Sequence, residues 1–249
     1  MLFILITLLI QDVWSQQYKL IESDNEGIIL EINFKNIYTL TEETVNGQKL
    51  TKITGVDMPA RIPGDPWLPY FSVNIGIPHN SKPVLTYSII ESESYSQKLI
   101  YPYQDIVNPE DNFNDLYFNS ELYSRSINFP EQPSEISTTF IYRYSRIATL
   151  LINPFQYNPV ERTLKFNSRI RVSIKYNEKA ISGEEYIPVS DKTTEEFIRR
   201  SILNKEFALS HIAKKFETVQ KPSSEDDYWY NPRHKYLKLY VRDKDVYRV

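Results

Sequence analysis

Residues 63–78 limit the fold more than any other stretch: Pro-Gly-Asp-Pro-Trp-Leu-Pro-Tyr-Phe-Ser-Val-Asn-Ile-Gly-Ile-Pro. Three prolines and a glycine fall within its first seven residues, which sets several φ angles and rules out a helix. Gly64-Asp65-Pro66 reads as a turn. Glycine is free to take positive φ there, and the proline behind Asp65 pushes that residue toward extended geometry. Alternation follows at once, with Phe71, Val73, Ile75 and Ile77 on one face and Tyr70, Ser72, Asn74 and Gly76 on the other. This is a half-buried strand, closed by Pro78. A rigid turn feeding a core strand is expected to seat Trp67 and Leu68 as plugs at the end of a β-sandwich. The stretch holds no nucleophile, acid–base pair or metal cluster, so it reads as a structural corner.

Alternation recurs on both sides of the corner. A short strand is expected at 17–22, and a clear one carries Ile28, Leu30, Ile32 and Phe34 on one face. Asn46-Gly47 is a hairpin signal between strands at 38–44 and 50–54. A long strand follows at 84–92, and 97–101 is expected to pair with it. Residues 139–152 read as one strand, and 163–166 and 170–176 as two more. The last places Ile170, Val172, Ile174 and Tyr176 inward, with Arg169, Arg171 and Lys175 outward. Three cations on one face discourage edge pairing and read as a solvated surface. Strands at short intervals without intervening helices predict a mainly β fold, an antiparallel β-sandwich of jelly-roll-like form. Nineteen Tyr and twelve Phe against six Gly agree with a β-rich chain.

One helical region is expected, at 191–216. Thr193 with Glu196 forms a capping box, and Asn204 interrupts the apolar stripe. The predicted organisation is a signal peptide at 1–15, a sandwich domain at 16–190 and a helical tail at 191–218. A polar linker follows at 219–235. A hairpin at 236–249 then begins a further, truncated domain, so the chain reads as a fragment. The apolar run 2–10 is too short to span a bilayer, and it predicts secretion through a cleaved leader, although a positive n-region is missing. No other stretch is apolar enough for a membrane span.

The chain's net charge is −3, which leaves no electrostatic footprint for nucleic acid. It contains no cysteine, which excludes disulfides, a cysteine nucleophile and thiolate metal sites from this chain. His79, His211 and His234 share no metal-like spacing. Glu110-Asp111-Asn112-Phe113-Asn114-Asp115 lacks the spacing and glycine of an EF-hand and reads as a turn. With no nucleophile elbow, P-loop or dinucleotide turn, the expectation is no catalytic residue, no cofactor and no metal.

Gly64-x-Pro66-x-Leu68-Pro69, followed by a strand ending at Ile77-Pro78, resembles the Gly-x-Pro-x-Leu-Pro signature of the gingipain-type propeptide domain. A second block extends the resemblance. Tyr144-x-Arg146 leads through Leu150-x-Ile152-x-Pro154-x-x-Tyr157-x-Pro159 to Leu164 and the strand 170–176, much like the family's closing block. The likeness covers residues 28–216. It departs where the family carries a glycine after the Tyr of the second block, which Ser145-Arg146 replaces here. Tyr236-x-Lys238-x-x-Val241 and Tyr247-Arg248-Val249 resemble the opening of the module after the pro-domain.

The resemblance implies an exported bacterial pro-domain that precedes a caspase-fold cysteine endopeptidase, helps it fold and keeps it latent. The partner it implies is that cognate peptidase domain, held in the same polypeptide. It further implies a loop that offers a basic residue to a specificity pocket. Residues 102–133 are the long irregular segment, and Arg125, flanked by Ser124 and Ser126, is its one cation. Arg125 is therefore the candidate inhibitory residue, expected to be exposed and mobile, since burying an unpaired guanidinium is costly. Arg143, Arg146 and Arg171 are placed on strands and lack that reach. Two other readings stand beside this one: a β-sandwich module of a surface protein that binds glycan or protein, and an unrelated glycosidase-like enzyme.

Overall fold

The computed structural model describes residues 18–55, 62–104, 116–177 and 185–215, with two short strands at 238–240 and 246–248. The expected leader at 1–15, the acidic turn at 110–115, the linker at 219–235 and His234 lie outside the described residues.

Two antiparallel sheets enclose the main core. The first runs β1 (Tyr18–Ser23), β2 (Gly27–Asn33), β10 (Thr163–Asn177), β6 (Lys82–Tyr95), with β9 (Phe155–Asn158) also paired to β10. The second runs β5 (Phe71–Gly76), β8 (Ser145–Ile152), β7 (Ser134–Tyr142). Period-two alternation sends Ile28, Leu30, Ile32, Ile170, Val172 and Ile174 from one sheet against Phe71, Ile75, Ala148, Leu150 and Ile152 from the other. The hairpin of β3 (Thr39–Val45) and β4 (Gln48–Thr54) turns at Asn46 and Gly47, whose φ angles of 50° and 75° suit a primed turn. A second core forms beyond the sandwich from Ile53, Leu68, Ile100, Phe155, Tyr157 and Leu164.

Several local expectations are corrected. Residues 97–101 do not pair with β6, because Gln97 at φ 56° turns the chain away. Thr51 takes that segment instead, its N–H donating to the Leu99 carbonyl at 2.6 Å and its carbonyl accepting from Tyr101 at 2.8 Å. Residues 139–152 are not one strand but the hairpin β7–β8, with Arg143 at φ 51° in its turn. The turn thus consists of Arg143 and Tyr144, directly ahead of Ser145. The two expected strands at 163–166 and 170–176 are one strand, β10, whose register shifts around the buried Asn167 and Ser168.

β10 lies between β2 and β6, so its cations do not protect an edge. Its two arginines are matched across the strands: Arg171 pairs with Glu31 at 2.7 Å, Arg169 with Glu91, and Glu91 also with Lys35. Cross-strand register, which periodicity alone does not reveal, supplied those carboxylates.

The described helices are α1 (Ser120–Tyr123), α2 (Lys192–Ser201) and α3 (Lys205–Ser210). α2 is capped by Asp191, whose carboxylate accepts from the Thr194 N–H at 2.9 Å, in place of the expected Thr193/Glu196 box. Asn204 breaks the stripe as expected. Beyond α3 the chain becomes extended: β12 (Ala213–Lys215) pairs with β11 (Tyr186–Pro188), where a helix to 216 was expected. Ile198, Ile202, Ala208 and Ile212 pack on Ile147, the β8 residue that faces away from the main core. α2 and α3 thereby form a third layer.

The separate C-terminal unit, 215–249, contains the expected hairpin, β13 (Lys238–Tyr240) with β14 (Val246–Arg248). Among the described residues no helix is long and apolar enough to cross a membrane.

Candidate functional site

The corner adopts the turn that its residues impose. Gly64 has φ 87°, and a Cβ placed on it would meet the Tyr117 ring and, at 2.7 Å, the Asn119 nitrogen. Both the positive φ and the close approach require glycine. Pro66 is buried, Leu68 enters the second core, and Pro69 is buried beside it. Trp67 departs from expectation. It is only half-buried, packs edge-on to Tyr101 and tilted to Tyr103, and carries the Lys52 ammonium 5.3 Å from its ring centroid. Its large ring stays at the surface because the shorter Leu68 fills the space beneath.

The described part of the long irregular segment lies directly on this corner. The Asn119 N–H donates to the Gly64 carbonyl at 2.9 Å, and Asn119 Nδ2 donates to Asp65 Oδ1 at 2.8 Å. Asn119 Oδ1 caps α1 by accepting from Leu122. Gln104 clasps Tyr117 from both sides: its Nε2 donates to the Tyr117 carbonyl at 2.9 Å, and its Oε1 accepts from the Tyr117 N–H at 3.0 Å. Tyr123 donates its hydroxyl proton to the Ile100 carbonyl at 2.9 Å and meets Tyr157 ring to ring. Burial pushes the Tyr123 phenol far up. Further on, Phe129 and Tyr157 exchange both backbone hydrogen bonds at 2.8 Å.

Arg125 stands between these ties. Its N–H closes on the Leu122 carbonyl at 3.1 Å, while its side chain is exposed and makes no ion pair with a described residue. It is exposed as expected, but its backbone is anchored on both flanks where mobility was expected. Ser126, Ile127, Asn128, Glu131, Gln132 and Asn158 line a shallow hollow beside it.

The arginines set against it in the sequence, Arg143, Arg146 and Arg171, are engaged. Arg143 is on the hairpin turn, not a strand, and forks onto Asp191 at 2.9 and 3.0 Å. That pair holds the Asp191 carboxyl down to about 2 from its ordinary 3.8. Arg146 Nη1 donates to the carbonyls of Pro78, His79 and Ser81. The remaining motif residues divide between the two ends of the fold. Tyr157 is fully buried in the second core, with its hydroxyl on the Lys98 carbonyl at 3.0 Å. The Pro154 carbonyl accepts from Asn167 at 2.7 Å, and that of Pro159 accepts from Arg162. The Tyr144 carbonyl accepts from Ala213 at 2.9 Å and faces His79 Nε2 at 3.2 Å. His79 stacks on Tyr186, and burial, with Arg146 and His211 close by, pushes its pKa down. Among the described residues no three His, Asp or Glu converge on a point that could hold a metal ion.

The two sequence blocks therefore meet at one place, with Gly64 under Asn119 ahead of Arg125 and Tyr157 against Tyr123 ahead of it and Phe129 behind it. The profile of the Propeptide_C25 family matches residues 15–205. The chain belongs to the Propeptide_C25 family. Gingipain R2 from two strains of Porphyromonas gingivalis is 24% identical over 183 residues, which is 72% of this chain and 24% of the relative. The chain thus spans about a quarter of the length of these curated relatives. Among solved structures, a complex of Porphyromonas gingivalis RgpB pro- and mature domains matches with a TM-score of 0.61 at 19% identity, covering 76% of this chain and 97% of that one. A structure concerned with the zymogenic latency of gingipain K from the same organism matches with a TM-score of 0.52 at 21% identity, covering 65% and 93%. These two likenesses establish a shared fold for the Propeptide_C25 domain. Reading the sequence missed Asp65, Asn119, Tyr123 and Gln104. An N-cap signature at Asn119-Ser120-Glu121 was available, whereas nothing local paired Asn119 with Asp65.

Proposed function

We propose that this chain is the pro-domain of an exported gingipain-type cysteine endopeptidase, which it assists in folding and holds latent by offering Arg125 to the substrate cleft. The observation that supports the second half is the placement of Arg125: exposed, free of ion pairs with described residues, and set between two anchors built from family-motif residues. A planar guanidinium suits a pocket that ends in a carboxylate, where it can bind through two parallel hydrogen bonds. A segment held on both flanks enters a cleft with little loss of conformational freedom, so more of the contact energy remains for binding. This chain has no cysteine, and the action on the peptidase that the reading requires is occlusion of its cleft.

The test adds the purified chain to a mature gingipain-type peptidase, with gingipain R2 as the probe, and follows peptide turnover. Wild type should inhibit, and Arg125→Ala should weaken inhibition by about 2–5 kcal/mol, as truncating one partner of a desolvated charge pair does. Arg171→Ala, distant on β10 and paired with Glu31, should inhibit as wild type does. Equal inhibition by wild type and Arg125→Ala moves the contact elsewhere. A wild-type chain that leaves turnover unchanged sinks the latency reading.

A further inference from the structure

The latency reading uses the corner motif through Gly64, and the side chain at position 65 is spent on the segment that carries Arg125 as well. Asp65 is 4% exposed, and a carboxylate so buried needs a donor. Asn119 Nδ2 supplies one at 2.8 Å. The same residue uses its N–H on Gly64, its Oδ1 on Leu122 and its carbonyl on the Tyr123 N–H at 2.9 Å. α1 is four residues long, far below the length at which a helix holds itself together. Its position is therefore borrowed from these anchors. Gly64 leaves no clearance in which the segment can slide.

We infer that Asp65 and Asn119 form a positioning clamp, which fixes where the chain crosses the corner and so sets the origin from which Arg125 reaches outward. This rests on the pro-domain reading for its purpose, but its geometry stands apart from it. Asp65 and Asn119 are positioning residues. They act through α1 and Ser124 on the presentation of Arg125. Without the clamp Arg125 remains exposed, but it samples many placements, and binding must then bear the ordering cost.

A swap separates position from mere stability. Asn119→Asp keeps the oxygen that caps α1 but sets a second carboxylate against the buried Asp65. Asp65→Asn combined with Asn119→Asp exchanges amide and carboxylate and restores one donor facing one acceptor. The readouts are tryptic cleavage after Arg125, cleavage after Arg171 as an internal reference, the melting temperature, and inhibition of gingipain R2. Cleavage requires local opening, so its rate reports the population of the released segment.

Asn119→Asp should raise cleavage after Arg125 by about tenfold, leave cleavage after Arg171 near wild type and weaken inhibition. The double variant should bring both readouts back to within about twofold of wild type. Unchanged cleavage after Arg125 in Asn119→Asp overturns the clamp. A parallel rise at Arg125 and Arg171 also overturns it, because the effect is then global unfolding. A double variant as labile as the single one overturns it too. If cleavage follows the swap while wild type, Arg125→Ala and Asn119→Asp inhibit equally, the role of Arg125 in latency falls and takes the clamp's purpose with it, while the clamp's hold on the segment is upheld.

Discussion

Two asparagines, one bonded to the turn ahead of β5 and one to its last residue, show how one kind of bond serves two purposes. Asn119 holds the turn that leads into the strand, through Gly64 and Asp65. Asn204 holds the residue that ends it: its Oδ1 accepts from the Gly76 N–H at 2.8 Å, and its Nδ2 donates to the Gly76 carbonyl at 2.9 Å. Each bonds to a glycine that a Cβ would crowd, against Asn119 itself at Gly64 and against Ala208 at Gly76. The surroundings differ. Asn204 is 2% exposed beneath α3, whereas Asn119 is half-buried at the rim. A paired amide in a dry place carries stability, because water is not there to replace it. At a wet rim the same pairing mainly fixes a position.

The largest effect that would test this contrast is Asn204→Ala. It strands the Gly76 N–H and leaves the Gly76 carbonyl only the 3.4 Å bond from the Tyr176 hydroxyl, and should cost about 2–4 kcal/mol in urea unfolding. A loss below about 1 kcal/mol would mean that water reaches Gly76, and the contrast would collapse. Trp67→Ala comes next. The ring is half-exposed, so the loss of its contacts with Tyr101, Tyr103 and Lys52 should cost about 1–2 kcal/mol, below the about 3–5 of a buried Trp. A cost in the buried range would show that the corner end carries as much of the stability as the helical end.

Asn119→Ala removes the α1 cap and the donor to the buried Asp65 together, and should cost about 1–2 kcal/mol, comparable with Trp67→Ala, measured by the same unfolding curve. The smallest handle is pH, and it should move the helical end alone under mild acid. The folded pKa of His79 lies below its ordinary 6.5, so its neutral form contributes fully above that value. As pH falls below it, the unfolded chain takes up protons first and stability declines. His79→Gln should flatten the unfolding midpoint between about pH 7.5 and 5.5; an unchanged slope would assign it to other groups. The Arg143–Asp191 pair is lost only in a lower window, as pH falls from 3.8 toward about 2.

Much of the sandwich was legible because alternation marks a half-buried strand wherever it falls. β2, β5 and the β3–β4 hairpin needed nothing beyond apolar period and turn chemistry. Errors gathered where a single residue redirects the backbone. Arg143 gives no warning of its positive φ, which belongs to a turn secured from outside by Asp191. Gln97 likewise turns the chain toward Thr51 with no glycine to announce it. At the candidate site, Arg125 could be singled out by charge and loop length, but its anchors could not. Asp65 and Asn119 are distant in sequence, and each alone is an ordinary turn residue.

The chain by itself determined its β character, its rigid corner and its family, since these follow from local steric rules, side-chain period and residue identity at fixed spacing. Only the tertiary structure decided that β10 lies within a sheet, with Glu31 and Glu91 beside its arginines, and that Trp67 stays at the surface. It alone brought the corner beneath the segment of Arg125. The reason is that a hydrogen bond or ion pair between distant residues leaves no trace in either one's neighbours along the chain. Such a bond is created by closing the chain, and closure is set by the packing of the whole core.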